Sequence, residues 1–130
     1  MSSAFIPKMK ALATYLGTAV QNTWYAILNT TTNVRVIGIN MMMATAAEDL
    51  ECRVTIDGQT ISGVQLAAVA GTYYTALLAQ TSTVQSLIFT STVYVGRGHL
   101  FEGRSVKVEI RKTTANGANV LSGSVMYQQY

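Results

Sequence analysis

The sequence predicts an all-β chain, an antiparallel two-sheet β-sandwich of the jelly-roll or related Greek-key kind, with about eight strands. Three observations predict it. Short segments alternate apolar and polar residues at period two, the signature of half-buried strands. Turn-forming Gly, Asn and Asp separate these segments at roughly 8 to 12 residue spacing. No long stretch shows the 3.6-residue period of crossover helices, which rules out a parallel α/β sheet, and no fixed repeat suggests a solenoid or propeller.

Taken in order, residues 1–22 read as an N-terminal arm or short helix and residues 23–130 as the sandwich domain. Met9, Leu12, Ala13, Leu16 and Val20 recur at helical spacing, yet Gly17 and the Thr and Tyr residues suit an extended arm equally well, so both forms stay open. Residues 23–29 form the first clear strand, with Trp24, Ala26 and Leu28 on one face and Tyr25 and Ile27 on the other. Trp24, the one tryptophan, is expected in the core. Residues 29–33 reverse the chain into 34–43, where the period slips. Val34 and Val36 share one face and Ile37, Ile39, Met41 and Met43 the other, which calls for a bulge near Gly38 or burial on both sides.

Residues 44–49 read as a loop or single helical turn. Residues 50–56 alternate almost without fault, and Asp57-Gly58 then supplies the strongest short hairpin signal in the chain. A two-residue turn there places Ile56 opposite Gln59 and Val54 opposite Ile61, so apolar meets apolar. The Ala-rich stretch 63–71 is expected to be a loop across one end. Strands resume at 72–78 and 85–95, and a bend with three glycines over 96–103 leads into the closing pair. In that pair Val106, Val108 and Ile110 alternate with Lys107, Glu109 and Arg111, and Leu121, Gly123, Val125 and Tyr127 share one face. Asn116-Gly117 between them reads as a hairpin turn.

With 130 residues the chain is one domain, large enough to bury about two thirds of its unfolded surface without disulfide or metal. Its single cysteine, Cys52, lies on the apolar side of its strand and reads as a buried thiol rather than a nucleophile. Charged residues are only 12% of the chain against 49% hydrophobic, so part of the outside is expected to be covered by copies of the same chain. The net charge is +3, and Arg97, Arg104, Lys107, Arg111 and Lys112 crowd one stretch that holds Glu102 and Glu109. A solvated strand face with cross-strand pairing is favoured there over a nucleic-acid patch. No apolar run is long enough for a membrane span. The lysines before 11–20 imitate a signal peptide poorly, because Thr14, Tyr15, Gly17 and Thr18 interrupt the apolar core. The chain is read as cytoplasmically made, with its N-terminus retained.

No enzyme chemistry is expected, and no catalytic, cofactor-binding or metal-binding residue is assigned. His99, the one histidine, sits in a glycine-rich bend with no nucleophile elbow in the chain. Glu48, Asp49 and Glu51 form the densest acidic run and read as a solvated loop. Gly96-Arg-Gly98 enters a strand where a phosphate loop needs a helix N-terminus, and an RNA-recognition order of aromatics and glycines is absent from 97–101. Met41, Met42 and Met43 point to alternating faces and cannot converge on one ion. Tyrosines at 73, 74, 94, 127 and 130 supply the alternative, a glycan- or receptor-binding face built of stacked rings.

The stretches VTIDG at 54–58, GRSVKVEIRKT at 103–113 and GSVMY at 123–127 resemble the small jelly-roll structural proteins of virus and bacteriophage particles, such as capsid, vertex and decoration subunits. The resemblance covers the chain from about residue 23 onward. It implies a virion protein made in the host cytoplasm, assembling as a homo-oligomer, often a trimer or pentamer, in or on an icosahedral shell beside other capsid proteins. An N-terminal arm would touch neighbours, and no binding residue is carried over.

Overall fold

A computed structural model describes residues 11–91, 100–115 and 117–129. Within them the chain is an all-β sandwich of jelly-roll or Greek-key-like topology with ten strands. In chain order these are β1 (Ala11–Thr18), β2 (Tyr25–Thr30), β3 (Val34–Met43), β4 (Glu48–Ile56), β5 (Gln59–Ala68), β6 (Tyr74–Gln80), β7 (Gln85–Thr90), β8 (Phe101–Gly103), β9 (Val106–Lys112) and β10 (Val120–Gln129). The larger sheet runs β1-β10-β3-β6-β7, with β8 also paired to β3, and the smaller runs β2-β9-β4-β5. Every pairing is antiparallel. The two strands beyond the expected eight are β1, which takes the extended form of its two open readings, and the three-residue β8.

The core is the alternating inner set that the letters predict. Val106, Val108 and Ile110 of β9 are fully buried, as are Leu50, Cys52 and Val54 of β4 and Leu121 and Val125 of β10. Full burial of each such aliphatic side chain stabilises by roughly 1.5–3 kcal/mol. Gly123 lies among them because a Cβ there would stand 2.7 Å from both Ile110 Cδ1 and Ile27 Cδ1. The slip in β3 is a bulge: Met126 faces Gly38 and Tyr127 faces Val36, leaving Ile37 as the extra residue. That one insertion puts Val34, Val36, Ile39, Met41 and Met43 all on the inner side, with Met42 half-buried on the outer. The Asp57-Gly58 turn matches its expected register, with Ile56 opposite Gln59 and Val54 opposite Ile61. Both turn residues have positive φ, 49° and 85°, as a type I′ reversal requires.

Four expectations are corrected. The strands β9 and β10 are not a hairpin; they belong to opposite sheets and pack face to face, so the 113–119 connection spans the sandwich. Trp24 lies outside the core, half-buried on the outer face of the smaller sheet, because a bulge at Ile27 turns Tyr25, Ile27 and Leu28 inward. The Ala-rich stretch is strand as far as Ala68. Its outward Val64 and Leu66 are exposed while Gln65 points in, an inverted pattern that hides a strand from a periodicity reading. Glu48 and Asp49 start β4 rather than filling a loop, and Glu48 is buried.

The two layers are closed along both sides. Tyr15 of β1 stacks on Tyr25 of β2 at 4.9 Å between ring centroids, and the Tyr25 hydroxyl accepts a 2.8 Å bond from the Val20 N–H. On the other side Gly63 of β5 sits directly against the Leu87 carbonyl of β7, with no room for a Cβ.

Candidate assembly surface

The outer faces of the two sheets differ in chemistry. On the smaller sheet, outward Arg53, Lys107, Glu109, Arg111 and Glu51 form a paired charge network. Arg53 Nε reaches Glu109 Oε1 at 2.8 Å, Lys107 Nζ reaches Glu109 Oε2 at 3.5 Å, and Arg111 Nη2 reaches Glu51 Oε1 at 2.6 Å. The Trp24 ring lies under both guanidiniums, with Arg53 Cζ 4.1 Å and Arg111 Cζ 4.3 Å from its centroid. Burial pushes the Glu109 carboxyl up, but the hydrogen bond and charge of Arg53 and the charge of Lys107 outweigh it and hold the group below the usual carboxylate range. The basic stretch is thus largely answered by carboxylates. Lys112 joins Glu48 in the interior, Arg104 is exposed, and Arg97 lies outside the described residues.

The larger sheet shows the opposite character. Its outward residues are Leu12, Thr14, Leu16 and Thr18 on β1; Val120, Ser122, Ser124 and Met126 on β10; and Gly38, Asn40 and Met42 on β3. The strands β6 and β7 continue this face with Thr75, Leu77 and Ala79 and with Ser86, Ile88 and Thr90. None of these carries a charge. Leu12 and Leu16 of β1 are 61% and 74% exposed, and Ile88 of β7, at the opposite end of the sheet, is 50% exposed.

Register orders this face into rows. Thr14 faces Ser124, Ser124 faces Asn40, Asn40 faces Thr75 and Thr75 faces Thr90, so a polar row crosses five strands. The Ser124 hydroxyl donates to Asn40 Oδ1 at 2.8 Å within it. Apolar pairs lie along one side of the row: Leu12 beside Met126, and Leu77 beside Ile88. The neutral face ends at the Arg35–Glu102 ion pair, 3.1 Å, beyond the β3 bulge.

The alternative ring platform does not assemble from the described tyrosines. Tyr73 is 57% exposed, while its neighbour Tyr74 is buried with its hydroxyl accepting from the Val69 N–H at 2.9 Å. Tyr127 is half-buried and faces inward; Tyr94, Tyr130 and His99 lie outside the described residues. Cys52 is fully buried, and burial pushes its thiol up to about 12, with the charge of Glu51 adding to the shift. Among the described residues no group of three or more His, Cys, Asp or Glu side chains is placed to hold a metal ion, and no helix is long and apolar enough to cross a membrane. An open cleft of about 460 Å³ lies between the start of β5 and the β6–β7 turn, walled by neutral groups such as Gln59, Gln80 and Gln85.

No protein-family model and no curated protein matches the sequence. Solved structures similar in fold include a chain from the Bacillus endospore appendages, described as disulfide-linked pili (10% identity, 93% of this chain and 87% of that chain, TM-score 0.47). Another is a chain of the cyanophage Pam1 capsid asymmetric unit (14% identity, 94% and 84% covered, TM-score 0.45). A third, from infectious bursal disease virus Gx strain, shares 13% identity; the match covers 95% of this chain but 34% of that one, with TM-score 0.39. The likeness is distant.

Proposed function

We propose that the chain is a virion structural protein, a capsid, vertex or decoration subunit that assembles as a homo-oligomer in or on an icosahedral particle. The observation that carries the assembly is the outer face of the larger sheet, uncharged across five strands and studded with exposed leucine and isoleucine. At strand spacing near 4.8 Å and a rise near 3.4 Å, seven residues on each of β1 and β10 and five on each of β3, β6 and β7 present about 470 Å² of flat area, and more once side-chain relief is counted. A stable interface needs about 800 Å² of accessible surface per partner, so this face is of the right order to be covered by other copies. The particle setting follows from the resemblance of the β-rich region to virion subunits, and the sandwich fold supports it.

Sedimentation at micromolar concentration, with negative-stain imaging of the same sample, tests the proposal. A defined multimer that Ile88→Lys and Leu16→Lys weaken is expected. A single-chain species over the whole concentration range overturns it.

A further inference from the structure

The strand β1 ends the larger sheet, and nothing in it resists the addition of another strand. Exposed edges are normally blunted by charge, proline, a bulge or a covering segment. Ala11–Thr18 contains no charged residue and no proline, and its pairing with β10 runs without a break from Ala11 opposite Tyr127 to Thr18 opposite Val120. The other sheet edges among the described strands are managed. A bulge at Ile27 interrupts β2, and β5 and β7 meet where Gly63 abuts the Leu87 carbonyl; β1 also meets β2, through the Tyr15 ring on its inner face, but its backbone edge carries no bulge.

We infer that β1 pairs antiparallel with β1 of a second copy across a two-fold axis through Thr14, joining two larger sheets into one. This deepens the assembly reading and rests on it. A two-fold normal to the sheet keeps outward residues outward, so only positions of equal parity can face each other. With the axis at Thr14, Leu12 faces the partner's Leu16 and Leu16 faces the partner's Leu12, which covers the two exposed leucines of the edge. On the inner side Tyr15 meets the partner's Ala13, large against small. Moving the axis to Tyr15 sets the leucines against threonines and ring against ring; moving it to Ala13 sets Leu12 against Thr14 and leaves Leu16 with no facing residue within Ala11–Thr18.

The Thr14 register also extends the polar row. Thr90, Thr75, Asn40, Ser124 and Thr14 of one copy continue into the same five residues of the other in reverse order, one hydroxyl and amide line across the joined sheet. What selects a second copy as the occupant is the leucine-to-leucine fit of the Thr14 register; charge does not oppose it locally, because the chain of net charge +3 meets its like here along an edge that carries none.

A charge swap tests both partner and register. Leu12→Lys with Leu16→Lys sets lysine against lysine twice and is expected to lower the sedimenting mass at least twofold. Leu12→Lys with Leu16→Glu sets lysine against glutamate twice and is expected to keep the wild-type mass. Equal behaviour of the two double variants overturns the pairing; if both stay multimeric the assembly reading still stands, whereas a monomeric wild type removes it as well. Thr14→Cys gives a second readout independent of surface polarity, because directly opposed residues lie within disulfide range and Cys52 is buried. Mild oxidation should yield a covalent dimer from Thr14→Cys and none from Thr18→Cys. Absence of the Thr14→Cys dimer, in protein that melts like wild type, overturns the axis position.

Discussion

Lys112 Nζ lies 3.4 Å from Glu48 Oε1 with both side chains buried, the deepest ion pair among the described residues. The ammonium also donates to the carbonyls of Ala115 and Gly117, at 2.9 and 2.7 Å, and Asn119 Nδ2 donates to Glu48 Oε2 at 2.7 Å. Asn119 Oδ1 in turn accepts from the Thr45 N–H and hydroxyl, at 3.1 and 2.6 Å. Two connections, the one before β4 and the one between β9 and β10, are thereby tied to a single charged centre. The centre thus sits where the chain passes from β9 in the smaller sheet to β10 in the larger.

Lys112→Met should leave Glu48 buried without its cation and lower stability by about 3–5 kcal/mol. Adding Glu48→Met removes the orphaned charge and should restore much of that loss. Urea unfolding of the wild type and both variants checks this. A single variant as mild as Lys107→Ala, whose side chain is half-exposed, would show that the pair contributes little.

The depressed Glu109 carboxyl makes stability depend on acid. A folded group held below its unfolded value, about 4.3 for glutamate, stabilises fully above that value, and its contribution is lost as pH falls through the folded value. The wild type should therefore lose melting temperature more steeply below about pH 4.3 than Glu109→Gln does. Melting curves from neutral pH down to acid for the two proteins give the comparison, and parallel curves would mean that Arg53 and Lys107 do not hold the charge.

Glycine replacements should separate by what a methyl group would meet. At Gly63 it runs into the Leu87 carbonyl, which is backbone and cannot step aside. Gly63→Ala should cost at least the 1–3 kcal/mol or so of ordinary overpacking and open the β5–β7 side. Gly123→Ala meets only side-chain methyl groups and the Asn40 carbonyl at 3.0 Å, so it should cost less. Gly38→Ala has open space around it and should be nearly neutral. Thermal melting of the three ranks them, and the reverse order would overturn the account of the closed side.

What the letters revealed follows the range of the interactions involved. Asp57-Gly58 was legible because a type I′ turn is decided by its own two residues and the strands beside them. The inner faces of β4 and β9 were legible because Leu50, Cys52, Val54 and Val106, Val108, Ile110 alternate without interruption. The partnership of β9 and β10 was not, since two neighbouring strands of opposite sheets and a hairpin carry the same alternation. Lys112 shares parity with Ile110, so its inward direction was written in the sequence, but a lysine at a strand end reads as solvated until Glu48 and Asn119 are seen around it. The polar row of the larger sheet was hidden more deeply: Thr14, Asn40, Thr75, Thr90 and Ser124 become neighbours only once four registers are known.

The placement of β10 between β1 and β3 has a consequence for how the protein is made. Ala11 finds its sheet partner in Tyr127, so β1 must wait for the synthesis of β10 before it can be held in the sheet. Until then β1 and one side of β3 remain open, and pairing across such long stretches of chain belongs to the slow regime of folding, milliseconds to seconds or so. Synthesis of β10, rather than of the strands before it, is the step that lets the larger sheet close, and crowding of nascent chains on one message is when an uncharged strand such as β1 is most exposed to the wrong neighbour.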